Sequence, residues 1–570
     1  MMRQTFAITL LLALLGGAAI AAAPPKRAAA PKPATPATPP AAVAAPSGEA
    51  VAHYSRGRML EESGDDTGAL AEFLRVLALD PHSGSAARRG SEVAARLGES
   101  GRSLELADRA LAIDASDAHA RWLKGSAEFN LGRPKEALVS LEAANAADST
   151  DPEIPRTLAR VAESMDRIDV VARAYRKITD LDEEDGEGWF QLAAASARLG
   201  QFAEADSAIH EAADLNPDRP GLLFLRGWIS ESLGRNDEAI GLYRHHLEAH
   251  ADDLTTRRRL VRLLAAGGNY ADAYSQAHLV SAARPRDLES IEVEAEMAYR
   301  SGHAADGAAL IARLRKLDPS DPEGVARSAG VLMRSDRADE ALALAGDWGR
   351  EHPKDSRGPM LLAEIHAQAQ HDDQALVEAR RAVELAPDSL GPRVLLGRLY
   401  QRGKHWDEAG RVWLEAWKRF PGESRLALDL AFCREQSGKL DSAVQVARDV
   451  LTREPENPQA LNFLGYLFAD HNRNLEEARK LIARALDKDP ENGAYLDSMG
   501  WVYYRLGRLK EARGQLEKAV AITGDPVVHE HLGDVYKDLK LLDLAREQYQ
   551  HSLASDSLNS RVRGKLREIR

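Results

Sequence analysis

Few side chains in this sequence are placed to do chemistry. His245, His246 and His250 lie on a helical pattern, and the i, i+4 pair among them could grip a metal ion through imidazole nitrogens. No carboxylate or cysteine completes a site in that reading, and His246 falls where a small packing residue belongs. His529-Glu530-His531 is a weaker candidate, because residues i and i+2 point to different sides of a helix. Cys433, the only cysteine, sits between Phe432 and Arg434 with no histidine beside it, so a core or groove residue is expected rather than a nucleophile. It also excludes an intrachain disulfide, a cysteine-rich zinc site and an iron–sulfur cluster. Ser437-Gly438-Lys439-Leu440 approaches a phosphate loop but lacks the upstream glycine and the following hydroxyl. No nucleophile elbow or zinc-protease helix is present. The expectation is a non-enzyme without metal or cofactor.

The chain of 570 residues is 44% hydrophobic and only 5% aromatic, a mixture that favours helices over sheets. Its net charge of −13 argues against nucleic acid as a partner, since phosphate neutralisation needs a basic surface. The N-terminus differs from the rest. Arg3 precedes an apolar run from Phe6 to Leu15 and the small-residue signal Ala19-Ile20-Ala21, which reads as a secretory signal peptide over residues 1–23. Cleavage after Ala21 is favoured over Ala23, which would leave Pro24 next to the scissile bond. Phe6 to Ala23 is barely long enough to remain as a membrane anchor instead. No cysteine follows, so lipoprotein processing is not expected. Residues 24–49 form a Pro/Ala-rich tether carrying Lys26, Arg27 and Lys32, a weak signal for proximity to an anionic membrane surface.

A 34-residue period organises the chain from residue 50 onward. Pro285, Pro319, Pro353, Pro387, Pro421 and Pro455 are evenly spaced, and Pro217 and Pro81 share their phase. Alanine recurs twelve residues before the proline, as Ala69, Ala137, Ala205, Ala239, Ala273, Ala341, Ala375, Ala409 and Ala443. Glycine recurs five residues before that, as Gly64, Gly132, Gly200, Gly234, Gly268, Gly302 and Gly438. Each unit predicts a helical hairpin. Glycine stops the first helix, alanine lets the second cross it closely, and proline ends the second at sites such as Asn216-Pro217-Asp218 and Asp318-Pro319-Ser320. One hairpin leaves an apolar face open, so it needs neighbours.

Trp189-Phe190-Gln191-Leu192, Gly200, Phe202, Glu204-Ala205, Ala212 and Leu215-Asn216-Pro217 fall on the large, small and proline positions of the tetratricopeptide repeat family, which the chain resembles closely. The resemblance implies an all-α, right-handed α-solenoid of about fifteen helix-turn-helix repeats over residues 50–559, with residues 560–570 capping its end. It also implies a protein-interaction role. The second and fourth repeats depart from the pattern with Ser103 and Val171 at the alanine position. The ninth and tenth carry Asp336 and Gln370 where glycine belongs, and the thirteenth gains a residue around His471-Asn472-Arg473-Asn474. Repeats fill the chain to residue 559, and the eleven residues beyond are too few for a catalytic domain.

On each first helix, positions 4, 7, 8 and 11 pack inward, and positions 2, 5, 9, 12 and 13 form a second stripe. In tetratricopeptide proteins that stripe lines a concave groove for peptides or helices. Three stretches of it stand out here as partner-binding candidates. The first is aromatic: Trp122, Phe129, Phe190, Phe224 and Trp228, which core burial does not readily explain. The second is a charge reversal, from Arg258, Arg259 and Arg262 to Glu289, Glu292 and Glu296, with mutual pairing across the repeat boundary as the plainer account. The third is Phe432, Asn462, Phe463, Tyr466, Asp497, Trp501, Tyr504 and Arg505, mixed groups suited to a peptide, with Asn462 able to hold its backbone. The Lys/Asn set that some family members use for a C-terminal carboxylate is not present. The functional expectation is an exported scaffold of the bacterial cell envelope that binds protein or peptide partners. A structural spacer and a carbohydrate-binding solenoid are the alternatives.

Overall fold

The computed structural model describes residues 47–148, 150–317 and 322–569. The signal peptide, most of the tether and the Asp318-Pro319-Ser320 turn lie outside these residues. Among the described residues there are 31 α-helices and no strand. The first thirty pair into fifteen hairpins, from Gly48–Glu62 with Asp66–Leu79 to Pro526–Asp538 with Leu542–Ser555, and Ser560–Glu568 follows alone. This is an all-α solenoid of helix-turn-helix repeats. The chain forms two compact units, Met1–Asn216 and Pro217–Arg570, with five hairpins in the first and ten plus the last helix in the second. No helix among the described residues is long and apolar enough to cross a membrane.

The repeat positions do the physical work expected of them. All nine phased alanines are completely buried. Opposite them, the first helix brings its backbone so close that a Cβ on Gly465 would sit 3.0 Å from the Ala478 carbonyl oxygen and 2.5 Å from Ile482 Cγ1. In the second repeat, Ser103 replaces alanine and its hydroxyl pairs with Ser91 Oγ at 3.1 Å, so the polar substitution is satisfied.

Turn geometry explains why the glycines recur. Gly200 closes its helix at φ 75°, after which the Gln201 N–H donates to the Ser196 carbonyl at 2.9 Å. Asp336 and Gln370 take the same left-handed conformation, at φ 60° and 61°, and the same closing bond forms from Arg337 to Leu332 and from His371 to His366. The departures from glycine therefore change the strain of the turn and not its path.

Two boundaries differ from the sequence reading. The first helix begins at Gly48, inside the expected tether, because Ser47 Oγ accepts from the Ala50 N–H at 3.1 Å and caps it. The sixth hairpin's first helix is shortened to Leu222–Ser232, since Gly221 at φ 83° follows Pro220 and delays the helix.

Candidate functional site

The aromatic stretch falls in both units and is largely consumed by packing. In the first unit Trp122, on helix Ala118–Asn130, donates its indole N–H to Thr157 Oγ1 at 2.9 Å on the next repeat's first helix, and its ring tilts against His119 at 5.0 Å. Phe129 lies under the Arg160 guanidinium at 5.9 Å, and both aromatics pack on the cluster around Leu141 and Leu158. Phe190 is buried, with 9% of its surface exposed. In the second unit Phe224 packs on the cluster around Tyr243 and Leu260, and Trp228 carries Arg259 over its ring at 5.8 Å. The expectation that core burial does not account for these residues is corrected for Phe190, whereas Trp122, Phe129, Phe224 and Trp228 are half-buried and keep part of their surface open. Trp122 and Phe129 fill part of the gap to the next first helix, through Thr157 and Arg160.

The charge reversal is real, but its two halves do not pair with each other. Arg259 reaches back to Glu231 at 3.0 Å, and Arg262 joins the same carboxylate. Arg258 turns forward to Asp287 at 2.7 Å, the residue just before helix Leu288–Arg300. Glu292 and Glu296 instead take Arg327 and Arg334 from the following repeat, at 3.3 and 2.7 Å. Burial pushes the Glu231 carboxyl up, but hydrogen bonds from Tyr243, Arg262 and Arg259 outweigh it and hold the group below its ordinary value. Arg258 and Arg262 thus remain on one wall, and Glu289 on the other, of a cleft of about 500 Å3.

In the third stretch, Trp501 is a sealed hub. It is 8% exposed, stacks on Tyr504 at 5.0 Å and on His531 at 4.1 Å, and has Arg505 5.7 Å from its ring. Asp497 is 7% exposed and lies 2.9 Å from His531 Nδ1. Tyr504 donates to Asp538 at 2.9 Å. The placement of Trp501 and Asp497 on an open wall is therefore corrected: the next first helix, Pro526–Asp538, covers both. Tyr466 is half-buried, and its phenol is pushed up first by burial and then by the charges of Asp470 and Asp497. Asn462 Oδ1 and Trp501 Nε1 are buried without a hydrogen-bond partner among the described residues. Phe432 is the exception to the sealing. It is 39% exposed, with the edge of Trp406 5.8 Å away.

Residues 91–152, 190–253, 434–493 and 472–527 match the tetratricopeptide repeat family. The chain is a tetratricopeptide-repeat protein. A stretch of 131 residues is 37% identical to a TPR repeat-containing protein of Pseudomonas aeruginosa, covering 22% of this chain and 22% of that relative. The chain thus spans about a fifth of the relative's length. Among solved structures it is similar to Naa15/Naa10 bound to HypK-THB, at 16% identity and TM-score 0.40, covering 91% of this chain and 96% of that one. It is also similar to yeast Tom70, at 14% identity and TM-score 0.32, covering 91% and 94%.

Within this tetratricopeptide-repeat protein the reactive candidates have structural roles. His246 Nε2 lies 3.1 Å from Asp253 Oδ2, so a carboxylate does stand beside it, but that carboxylate also caps the next helix through the Thr255 and Thr256 N–H groups. Cys433 is fully buried and its thiol is pushed up to about 11 by burial. His531, expected to carry no chemistry, completes the Trp501 stack. Sequence inspection missed Glu231 as the anchor of Arg259 and Arg262. Its signal was present: an acid on one first helix, 28 and 31 residues before two arginines on the next. It also missed Glu435, Asp470 and His471, whose ligand atoms lie within 4.8 Å of one another on the surface. There His471 Nε2 is already engaged by Glu435 at 3.1 Å.

Proposed function

We propose that this protein is a non-catalytic scaffold of the cell envelope whose first helices hold segments of partner proteins. The observation that carries the reading is Phe432, a large apolar side chain held 39% exposed on a first helix, with the unpartnered Asn462 Oδ1 on the first helix that follows. An exposed aromatic is a binding anchor, and a buried acceptor left unpaired costs about 1–3 kcal/mol until a donor such as a peptide N–H reaches it. Tetratricopeptide-repeat solenoids typically serve as interaction scaffolds, which supports a partner of peptide or protein kind. Export rests on Arg3, the Phe6–Leu15 run and Ala19-Ile20-Ala21, and the basic tether that follows suits a start near an anionic membrane surface. Assembly of an envelope, secretion or polysaccharide-export machine is the role this combination fits.

One observation favours a second reading. The sealing of Trp501 and Phe190 removes two anchors from the wall, as a structural spacer would have it. It also leaves Trp501 stacked on protein rings instead of open to a sugar face. A photo-crosslinking residue at Phe432 separates scaffold from spacer, with Val377, 58% exposed on a second helix, as control. A scaffold gives a discrete polypeptide adduct from position 432 in intact cells and none from 377. Equal labelling at both positions, or none at either, refutes the scaffold. N-terminal mass analysis of the cellular protein tests export, with a start at Ala22 as the expected result.

A further inference from the structure

The second unit contains a cleft whose two walls carry opposite charge. Helix Leu254–Ala266 contributes Arg258 and Arg262, helix Leu288–Arg300 contributes Glu289 and Glu296, and the two helices do not pack closely on each other, unlike Pro458–Asp470 and Gly493–Arg505. The space between them, about 500 Å3, falls within the range of sites that enclose small ligands or short peptide segments. Its base is apolar, with Met297 buried and Val293 37% exposed toward the opening.

The distribution of ion pairs keeps this cleft open. Arginines and glutamates facing one another across a repeat boundary would ordinarily close it. Here Arg258 bridges one end to Asp287 and Ser290, but farther along Arg262 is drawn back to Glu231 and Glu296 is drawn forward to Arg334. Arg262 still leaves 65% of its side chain exposed, and Glu289 is exposed and forms no ion pair among the described residues. Glu231 serves two arginines at once, so the arginine wall keeps an excess of positive charge.

We propose that this cleft is a docking site for an extended segment of a partner polypeptide carrying an acidic residue, two aliphatic residues and a basic residue in that order across the cleft. The acid meets Arg262, the aliphatic pair covers Val293 and Met297, and the base meets Glu289. A purely anionic segment would bring its far end onto Glu289 and Glu296, and like-charge contact there selects against it. This inference rests on the scaffold reading and specifies one place and one chemistry for it.

The test uses the full chain and end-capped fluorescent peptides containing Glu-Leu-Leu-Lys, Glu-Leu-Leu-Glu or Lys-Leu-Leu-Lys, read by fluorescence anisotropy. The first peptide is expected to bind at least tenfold more tightly than the other two. Arg262→Glu is expected to weaken it at least tenfold and to reverse the preference toward Lys-Leu-Leu-Lys. Glu289→Lys, at an exposed position, should weaken the first peptide while improving the all-acidic one. Circular dichroism of both variants should match the parent chain. The proposal is overturned if Glu-Leu-Leu-Glu binds as tightly as Glu-Leu-Leu-Lys, which would indicate a plain anion site, or if none of the peptides binds at millimolar concentration. A negative result here with intact crosslinking at Phe432 removes the cleft alone, whereas loss of the Phe432 adduct removes the broader scaffold reading.

Discussion

Replacing Trp501 with alanine separates an internal hub from an exposed anchor. A tryptophan side chain presents roughly 200 Å2, and at 8% exposure nearly all of it is withdrawn from water. At about 25 cal/mol per Å2 that burial corresponds to about 5 kcal/mol. Residual burial in the unfolded chain and the methyl that alanine retains reduce the figure to about 3–4 kcal/mol. The indole N–H, buried without a partner, returns about 1 kcal/mol when removed. The expected loss is therefore about 2–3 kcal/mol, at the low end for large-to-small core changes. A stacked-repeat protein opens locally, so a single melting temperature is a poor measure of it. Hydrogen exchange of the helices Gly493–Arg505 and Pro526–Asp538 reads the change directly, and protection of both should fall together because His531 and Tyr504 lose their stacking partner. Phe432→Ala, at a surface position, should cost about 1–2 kcal/mol. If Trp501→Ala changes protection by less than about 1 kcal/mol, Trp501 is not the hub described here and the exposed-anchor placement returns.

Three further outcomes follow from named contacts. Gln370 holds a left-handed turn at φ 61° that glycine adopts without steric penalty, so Gln370→Gly should stabilise the tenth hairpin by about 0.5–1 kcal/mol, and urea titration followed by exchange of residues 357–385 checks the sign. Glu231 titrates below its ordinary value of 4.5 when folded, so its contribution is fully present above that value and is lost as pH falls through the lower folded value. Protection of Leu254–Ala266 should accordingly decline on acidification below about pH 4.5, and Glu231→Gln should remove that part of the pH dependence. Cys433, buried and pushed up to about 11, should resist iodoacetamide at pH 8 in the native protein and react promptly in denaturant, with rapid native labelling as the contrary result.

The helices were legible before any coordinates because their determinants are local. A glycine able to turn left-handed, an alanine small enough for a close crossing and a proline without an N–H each act within one hairpin, and repetition at 34 residues turns one hairpin into fifteen. Even the imperfect repeats obeyed, since Asp336 and Gln370 accept the same strained turn. The wall of first helices was legible only as a stripe of positions. Whether a stripe residue faces solvent or fills the gap to the next repeat depends on how closely two first helices approach, and that distance is set by side chains about 34 residues away in each direction. Trp122 finds Thr157 and is half covered in this way, and Trp501 finds His531 and leaves the surface. Arg262 and Glu296, although arranged to face each other, were each captured by a partner on the opposite side, and the cleft between them exists only because tertiary packing made that choice.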